Sequence, residues 1–307
     1  MTFSIIARDP ETGAFGIACE THFFGVGRLV GWLEPGVGVI ATQAFVNVGF
    51  GPRGLELLRD GLGAEEALST LIDGDDAPAV RQLAIIGPDG EVANFTGEGC
   101  VASAGALSGD QVSVQGNMLA SPEVYESMLR AYDASAGQPF ASRLLAALRA
   151  GEDAGGDARG SQSAVLKIVS GKRGGHVWEE TLLDLRVDDH PDPVTEITRL
   201  AALAGAFDDL GGVMFAPRVM IGDYEDVTEE ELEDALTALD SARSVLGENL
   251  EAAFWRAVLL SRAGRDAEAA ASFEEVFARG PHWRPYLRSV AAAGFLSPDK
   301  VAGLVAT

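Results

Sequence analysis

The apolar residues of this chain change period in blocks, and the order of those blocks restricts the fold more than any single motif does. Period-two alternation or short apolar runs mark TFSIIAR, AFGIACE and GVGVIATQAF, and the turn DPETG between the first two predicts a hairpin. From Gly51 the period is helical: Leu55, Leu57 and Leu58, then Ala67, Leu68 and Leu71, predict two helices. Strand patterns return at 82–86, in EVANFTG, at 100–106 and at 111–114. A helical pair follows at 122–134 and 140–150, then strands in SQSAVLKIV and HVWEETLLDLRV, and a helix that opens at HPDPV. Strands in runs with helices in pairs predict an α+β fold of antiparallel sheets covered by helices, and argue against a doubly wound parallel sheet. A four-layer αββα sandwich fits this order.

Beyond residue 222 the strand pattern stops. The segment DYEDVTEEELED holds eight acids in twelve residues, and Thr228 with Glu231 three positions later is a capping-box pattern. Domains are therefore expected at 1–222 and 223–307, the second all-α, with helices at 229–246, 250–263, 266–279 and 285–293. Trp255, Leu259, Gly264, Ala267, Phe273 and Pro281 lie near tetratricopeptide-repeat spacing. One such repeat cannot bury a continuous superhelical core, so an appendage that docks on the main domain or on another chain is favoured over a peptide groove.

With 46 acidic against 23 basic residues the net charge is −23, which repels phosphate backbones and anionic lipid. No nucleic-acid or membrane role is expected. The uncharged stretch 35–52 is broken by four glycines, Gln43 and Asn47, too polar to span a bilayer, and Arg8 and Asp9 interrupt the only early apolar run. These features, with two cysteines lacking metal-site spacing, predict a cytoplasmic protein with buried thiols.

Chemistry starts at Met1-Thr2-Phe3-Ser4, at the head of a strand. Methionine aminopeptidase removes Met1 before a small residue, and Thr2 would then carry its hydroxyl and a free α-amine on adjacent carbons. An α-amine of pKa about 7.7–8.0 can take the hydroxyl proton near neutral pH. Met-Thr starts are common, so this feature alone does not make an enzyme.

Six segments together are more specific: TFSIIARDPETGAFGIA at the start, HFFGVG at 22–27, GVGVIATQA at 36–44, QGNML at 115–119, AGGDARGSQSA at 154–164 and LRVDDHPDPV at 185–194. In these the chain resembles, over roughly residues 1–210, the N-terminal nucleophile (Ntn) hydrolase-like family known as domain of unknown function 1028. The resemblance implies the αββα sandwich of that superfamily and, by analogy, hydrolysis of a small-molecule amide-type C–N bond with Thr2 as nucleophile. It implies backbone N–H groups around an oxyanion, no cofactor and no metal, a small-molecule substrate, and a homo-oligomer. In some relatives the C-terminal extension is described as peptidoglycan-binding. The chain departs from the threonine members that place a lysine beside the nucleophile, because its first lysine is Lys167.

Further candidates lie in the same segments. His22 can act electrostatically beside the nucleophile or simply end its strand. Asn117 can donate to an oxyanion or serve a tight turn with Gly116. Asp157 can order the nucleophile's amine and Arg159 can clamp a substrate carboxylate, or the two can pair with each other. Gln43 and Ser163 join Arg159 as substrate-binding candidates. Asp188, Asp189 and His190 look like metal ligands but are adjacent, so a strand exit with Asp192 capping the next helix is favoured, with Arg186 reaching one of the carboxylates. Cys19 and His22 should face opposite sides of a strand. A non-catalytic binding or scaffold protein, with a relic hydrolase fold and a partner-binding tail, is the competing expectation, and an internal nucleophile such as Ser4 or Thr21 a third.

Overall fold

The computed structural model describes residues 2–174, 176–297 and 299–301, and the fold is mixed α+β with two antiparallel sheets and a helical C-terminal region. Strands β1 (Thr2–Arg8), β2 (Phe15–Thr21), β7 (Gly105–Gly109), β8 (Val112–Asn117), β9 (Ser163–Val169) and β10 (Thr181–Val187) form one sheet, in the order β10-β9-β2-β1-β8-β7. Strands β3 (Gly31–Glu34), β4 (Gly38–Ala44), β5 (Arg81–Ile86) and β6 (Val92–Thr96) form the other, in sequence order. The expected hairpin joins β1 to β2, closed by Asp9 N–H donating to Ala14 O at 2.8 Å.

Alternation along the strands sorts the apolar side chains into three layers. Phe3, Ile5 and Ala7 of β1 pack with α3 (Glu123–Ala134) and α4 (Phe140–Asp153) on the outer face of the six-stranded sheet. Ile6, Phe15 and Ile17 meet Val39, Ala84 and Ile86 between the sheets. Ile40, Leu83 and Ile85 pack with α1 (Phe50–Arg59) and α2 (Ala64–Asp73) on the outer face of the four-stranded sheet.

Three local expectations are corrected. The segment GWLE, unmarked by periodicity, forms β3 against β4. The first part of HVWEETLLDLRV turns once as α5 (Val177–Glu180) before β10 begins. The strand expected at 100–106 starts only at Gly105, because the preceding backbone is spent on loop contacts: Cys100 N–H donates to Gly97 O and Met118 N–H to Val101 O.

The chain divides into two compact units, Met1–Ala201 and Ala202–Thr307, with the division inside α6 (Pro193–Met214) and so ahead of the acidic segment. In the second unit Ala206, Leu210 and Val213 of α6 share an apolar core with α7 (Glu229–Leu246), α8 (Glu251–Arg262), α9 (Asp266–Arg279) and α10 (Trp283–Ala292). The capping box forms: Glu231 N–H donates to Thr228 Oγ at 3.2 Å and Thr228 N–H to Glu231 Oε2 at 2.8 Å. Trp255, Leu259 and Phe273 are buried together, and Gly264 turns the chain between α8 and α9 with φ +78°. No described helix is long and apolar enough to cross a membrane.

In α1, Gly51 lets the helix lie on Trp32, whose ring a Cβ would meet at 2.1 Å. Alanine is the better helix former by up to about 1 kcal/mol, but forcing a methyl into this contact costs about 1–3 kcal/mol. Overpacking should win: Gly51→Ala is expected to lower the unfolding free energy by about 1 kcal/mol, read from the midpoint of a urea titration.

Candidate functional site

The face of each sheet that looks toward the other is apolar along most of its length and polar at one end. Across the six-stranded sheet one row runs Asn117–Thr2 and Thr21–Ser163, with Thr2 Oγ donating to Thr21 Oγ at 3.2 Å to join the halves. All four are buried, Thr2 at 7% exposure. One step inward the row is Gln115–Ser4–Cys19–Val165. Opposite, Gln43 pairs with Gln82 and Gln82 with Thr96.

Hydrogen bonds tie these rows across the gap. Ser113 Oγ donates to Gln115 Oε1, Gln115 Nε2 to Ser4 Oγ at 2.6 Å, and Ser4 Oγ to Gln43 Oε1 at 2.7 Å. Gln43 Nε2 donates to Gln82 Oε1 at 2.7 Å and lies 3.4 Å from Thr2 O. Gln82 is the hub: Oε1 also accepts from Asn117 Nδ2 at 2.9 Å, and the two hydrogens of Nε2 serve Thr96 Oγ, Gly105 O and Gly116 O.

At the polar end a cavity of about 90 Å³ opens against Thr2, Thr21 and Gln43. Its remaining lining is apolar: Phe23, Val26, Leu29, Val30, Ala44 and Val46. The wall made by 23–30 is fixed by Ser163, whose Oγ donates to Phe23 O at 2.5 Å and accepts from Val26 N–H at 3.1 Å. Ala44 holds a left-handed φ of +66° and Met118, next to Asn117, +53°, a conformation that costs a non-glycine residue about 1–3 kcal/mol and tends to gather at sites.

The model of a family of unknown function, DUF1028, matches residues 2–197. The chain belongs to that family. It is similar to a crystal structure of the DUF1028 protein SPO2555 from Silicibacter pomeroyi, at 34% identity and a TM-score of 0.59 over 65% of this chain and 87% of that one. No curated protein matches. The matched residues include the whole polar end and the loops around it, and stop short of the helices after α6.

The candidates read from the sequence divide between cavity, seam and supporting loops. Thr2 and Gln43 line the cavity. Asn117 stands beside Thr2, yet its amide nitrogen is directed at Gln82, and its Oδ1 is buried without a partner among the described residues. Ser163 holds the 23–26 backbone. Asp157, its carboxyl fully buried, accepts from His22 N–H at 2.9 Å and pairs with Arg159 at 3.2 Å, fastening two loops to each other. His22 has an exposed side chain and does not line the cavity. Burial pushes the Cys19 thiol well up, and it faces between the sheets.

Farther off, Asp192 caps α6 through Thr195 N–H at 3.1 Å, as expected. Arg186 does not reach the 188–189 carboxylates; it pairs with Asp184 at 3.1 Å, its alternate neighbour on the same strand face. Gln82 and Gln115 were not among the sequence candidates, nor were Ser4 and Thr21 given a supporting argument. The signal was available as polar residues at alternate positions of otherwise apolar strands, in Thr2-x-Ser4 and Gln115-x-Asn117.

On the opposite face of the six-stranded sheet Glu20 sits fully buried, with neither carboxyl oxygen hydrogen-bonded at normal geometry. Desolvation first, then the Glu152 and Asp157 carboxylates, raises its pKa from 4.5 to about 9; the backbone of Gln162 and the Ser161 hydroxyl, more loosely placed, offset this in part. Glu20 is therefore neutral at pH 7 beneath the loop that carries Asp157. Between about 4.5 and about 9 the unfolded carboxyl is ionised while the folded one keeps its proton. Stability from this group is thus full below the lower value and lost as pH rises toward the upper, by at most about 1.4 kcal/mol per pH unit. Glu20→Gln, neutral throughout, should flatten that slope in urea titrations at pH 5, 7 and 9. Gln82→Leu should cost about 3 kcal/mol at any of these pH values, because it strands buried donors and acceptors together.

Proposed function

We propose that this chain is a hydrolase of small amide-type C–N bonds, with Thr2 as N-terminal nucleophile once Met1 has been removed. Met1 itself lies outside the described residues. The observation that carries the reading is the position of Thr2: a hydroxyl on the second residue of the chain, at the head of a central strand, in the wall of a cavity. None of the described lining residues is a carboxylate, imidazole or lysine, which supports the Thr2 α-amine as the base in this reading.

In this mechanism the α-amine takes the proton from Thr2 Oγ as Oγ bonds to the amide carbonyl. The tetrahedral oxyanion is held by backbone N–H groups, and its collapse breaks the C–N bond. The α-ammonium returns the proton to the departing nitrogen. Water, deprotonated by the same amine, then cleaves the acyl ester and frees Thr2. Gln43, bridging Thr2 O and Gln82, acts as a positioning residue that fixes the strand end. The Thr21 hydroxyl orients that of Thr2.

The same reading takes the two helix-covered sheets as the αββα sandwich of the Ntn hydrolases, which the layer order supports. It takes α8 and α9 as a tetratricopeptide-like pair, supported by the joint burial of Trp255, Leu259 and Phe273. A cytoplasmic homo-oligomer acting on a small molecule without a cofactor completes it; light scattering of the full chain reads the assembly directly.

A strained acyl electrophile tests the nucleophile without knowledge of the substrate. β-Propiolactone, opened by Thr2 Oγ, should add its full mass at Thr2 in protein that has lost Met1. Thr2→Ala also permits Met1 removal and keeps the amine, so it retains any amine adduct; it is expected to cut the hydroxylamine-labile ester labelling at least a hundredfold with an unchanged melting temperature. Ester labelling that persists in the variant sinks the mechanism.

A further inference from the structure

The cavity beside Thr2 also limits what lies next to the scissile carbonyl. We infer that it takes a small, uncharged, branched aliphatic group of about three to five carbons; this rests on the proposed function for the carbonyl's attachment point, though not for the recognition itself.

Three observations carry it. The first is chemistry: away from Thr2, Thr21 and Gln43 the wall is made of Val26, Leu29, Val30 and their apolar neighbours, with no charged side chain among the described lining residues. An anion placed against that apolar wall, away from the polar groups of Thr2, Thr21 and Gln43, would lose its hydration without a partner. The second is size. A dry apolar cavity of about 150 Å³ accommodates benzene, so about 90 Å³ favours a compact isobutyl-sized group over the longer, rigid phenyl ring.

The third is that Arg159, the sequence candidate for a carboxylate clamp, is committed to another partner. Arg159 meets the fully buried Asp157 carboxylate through Nε at 3.3 Å and Nη2 at 3.2 Å, which favours the pair over a clamp for a substrate carboxylate. The net charge of −23 further opposes the approach of anions. The wall is also built before any ligand arrives, since Ser163 fastens both Phe23 and Val26, so binding does not have to order it.

The test uses three unreactive or slowly reacting amides that differ only beyond the methylene next to the carbonyl: isovaleramide, its anionic isostere malonamate, and phenylacetamide. In the full-length protein with methyl-labelled valines, isovaleramide is expected to shift the Val26 and Val30 resonances saturably. Malonamate and phenylacetamide should bind at least tenfold more weakly. Val30→Phe, which fills the cavity, should weaken isovaleramide at least tenfold. Leu29→Ala, at a half-buried position that tolerates truncation, should instead improve phenylacetamide relative to isovaleramide. Equal or tighter binding of malonamate, or no saturable shift with isovaleramide, overturns the inference. Selective isovaleramide binding in a protein whose Thr2 resists β-propiolactone would leave the recognition standing and remove the nucleophile.

Discussion

The buried amide and hydroxyl seam between the two sheets is the constraint on which the rest of the first unit depends. Gln43, Gln82, Gln115 and Asn117 are buried, and each buried polar group would cost free energy unless bonded. Their partners lie on different strands and on both sheets, so satisfying Gln82 requires β4, β5 and β8 to meet in one register. An apolar contact such as Ile6 on Ile86 tolerates small slips; a two-centred amide hub does not. Gln43 also approaches Thr2 O, so the same seam meets the start of β1.

Around the start of β1 the loops are held by polar staples as well as by the packing of Val26 and Val30. Ser163 fixes the 23–26 backbone, Asp157 fixes His22 and Arg159, and Asn47 fixes its own loop through Asp75 at 2.7 Å and Thr42 at 3.2 Å. Loops so tied still expose apolar side chains, Phe23, Phe24 and Phe45 among them, and Phe23 lines the cavity. On the reverse face the neutral Glu20 sits beneath the Asp157 loop, so the support of the site is sensitive to alkaline pH even though no lining side chain titrates near neutrality.

The second unit follows another logic. Its core is built mainly from helix contacts, with Phe254 edge-on to Trp255 and Phe273 and tilted against Trp283, and its helix ends carry polar caps such as that of Thr228. Such a unit is stabilised by apolar burial and local caps, and among its described residues nothing resembles the polar seam of the first. Its α6 residues belong to this core, which is why the compact division precedes the acidic segment that marks a break in composition.

Local patterns determined a great deal by themselves. Alternation and turn chemistry predict β1, β2 and their hairpin, the helical periods predict α1 and α2 and place α3, α4 and α7 to α9 within three residues of their ends, and the Thr228–Glu231 pair predicts its cap, because each depends on neighbours within a few positions. The place of Thr2 at a strand head was legible for the same reason. What the sequence could not decide is which distant polar residues share a face. Asp157 is 135 positions from His22 and Gln82 is 35 from Asn117, and only the pairing of whole sheets brings them within hydrogen-bonding distance. Thus Asp157, Arg159 and Ser163 read equally well as ligands or as staples along the chain, and tertiary structure alone turns their polar atoms toward backbone and toward each other.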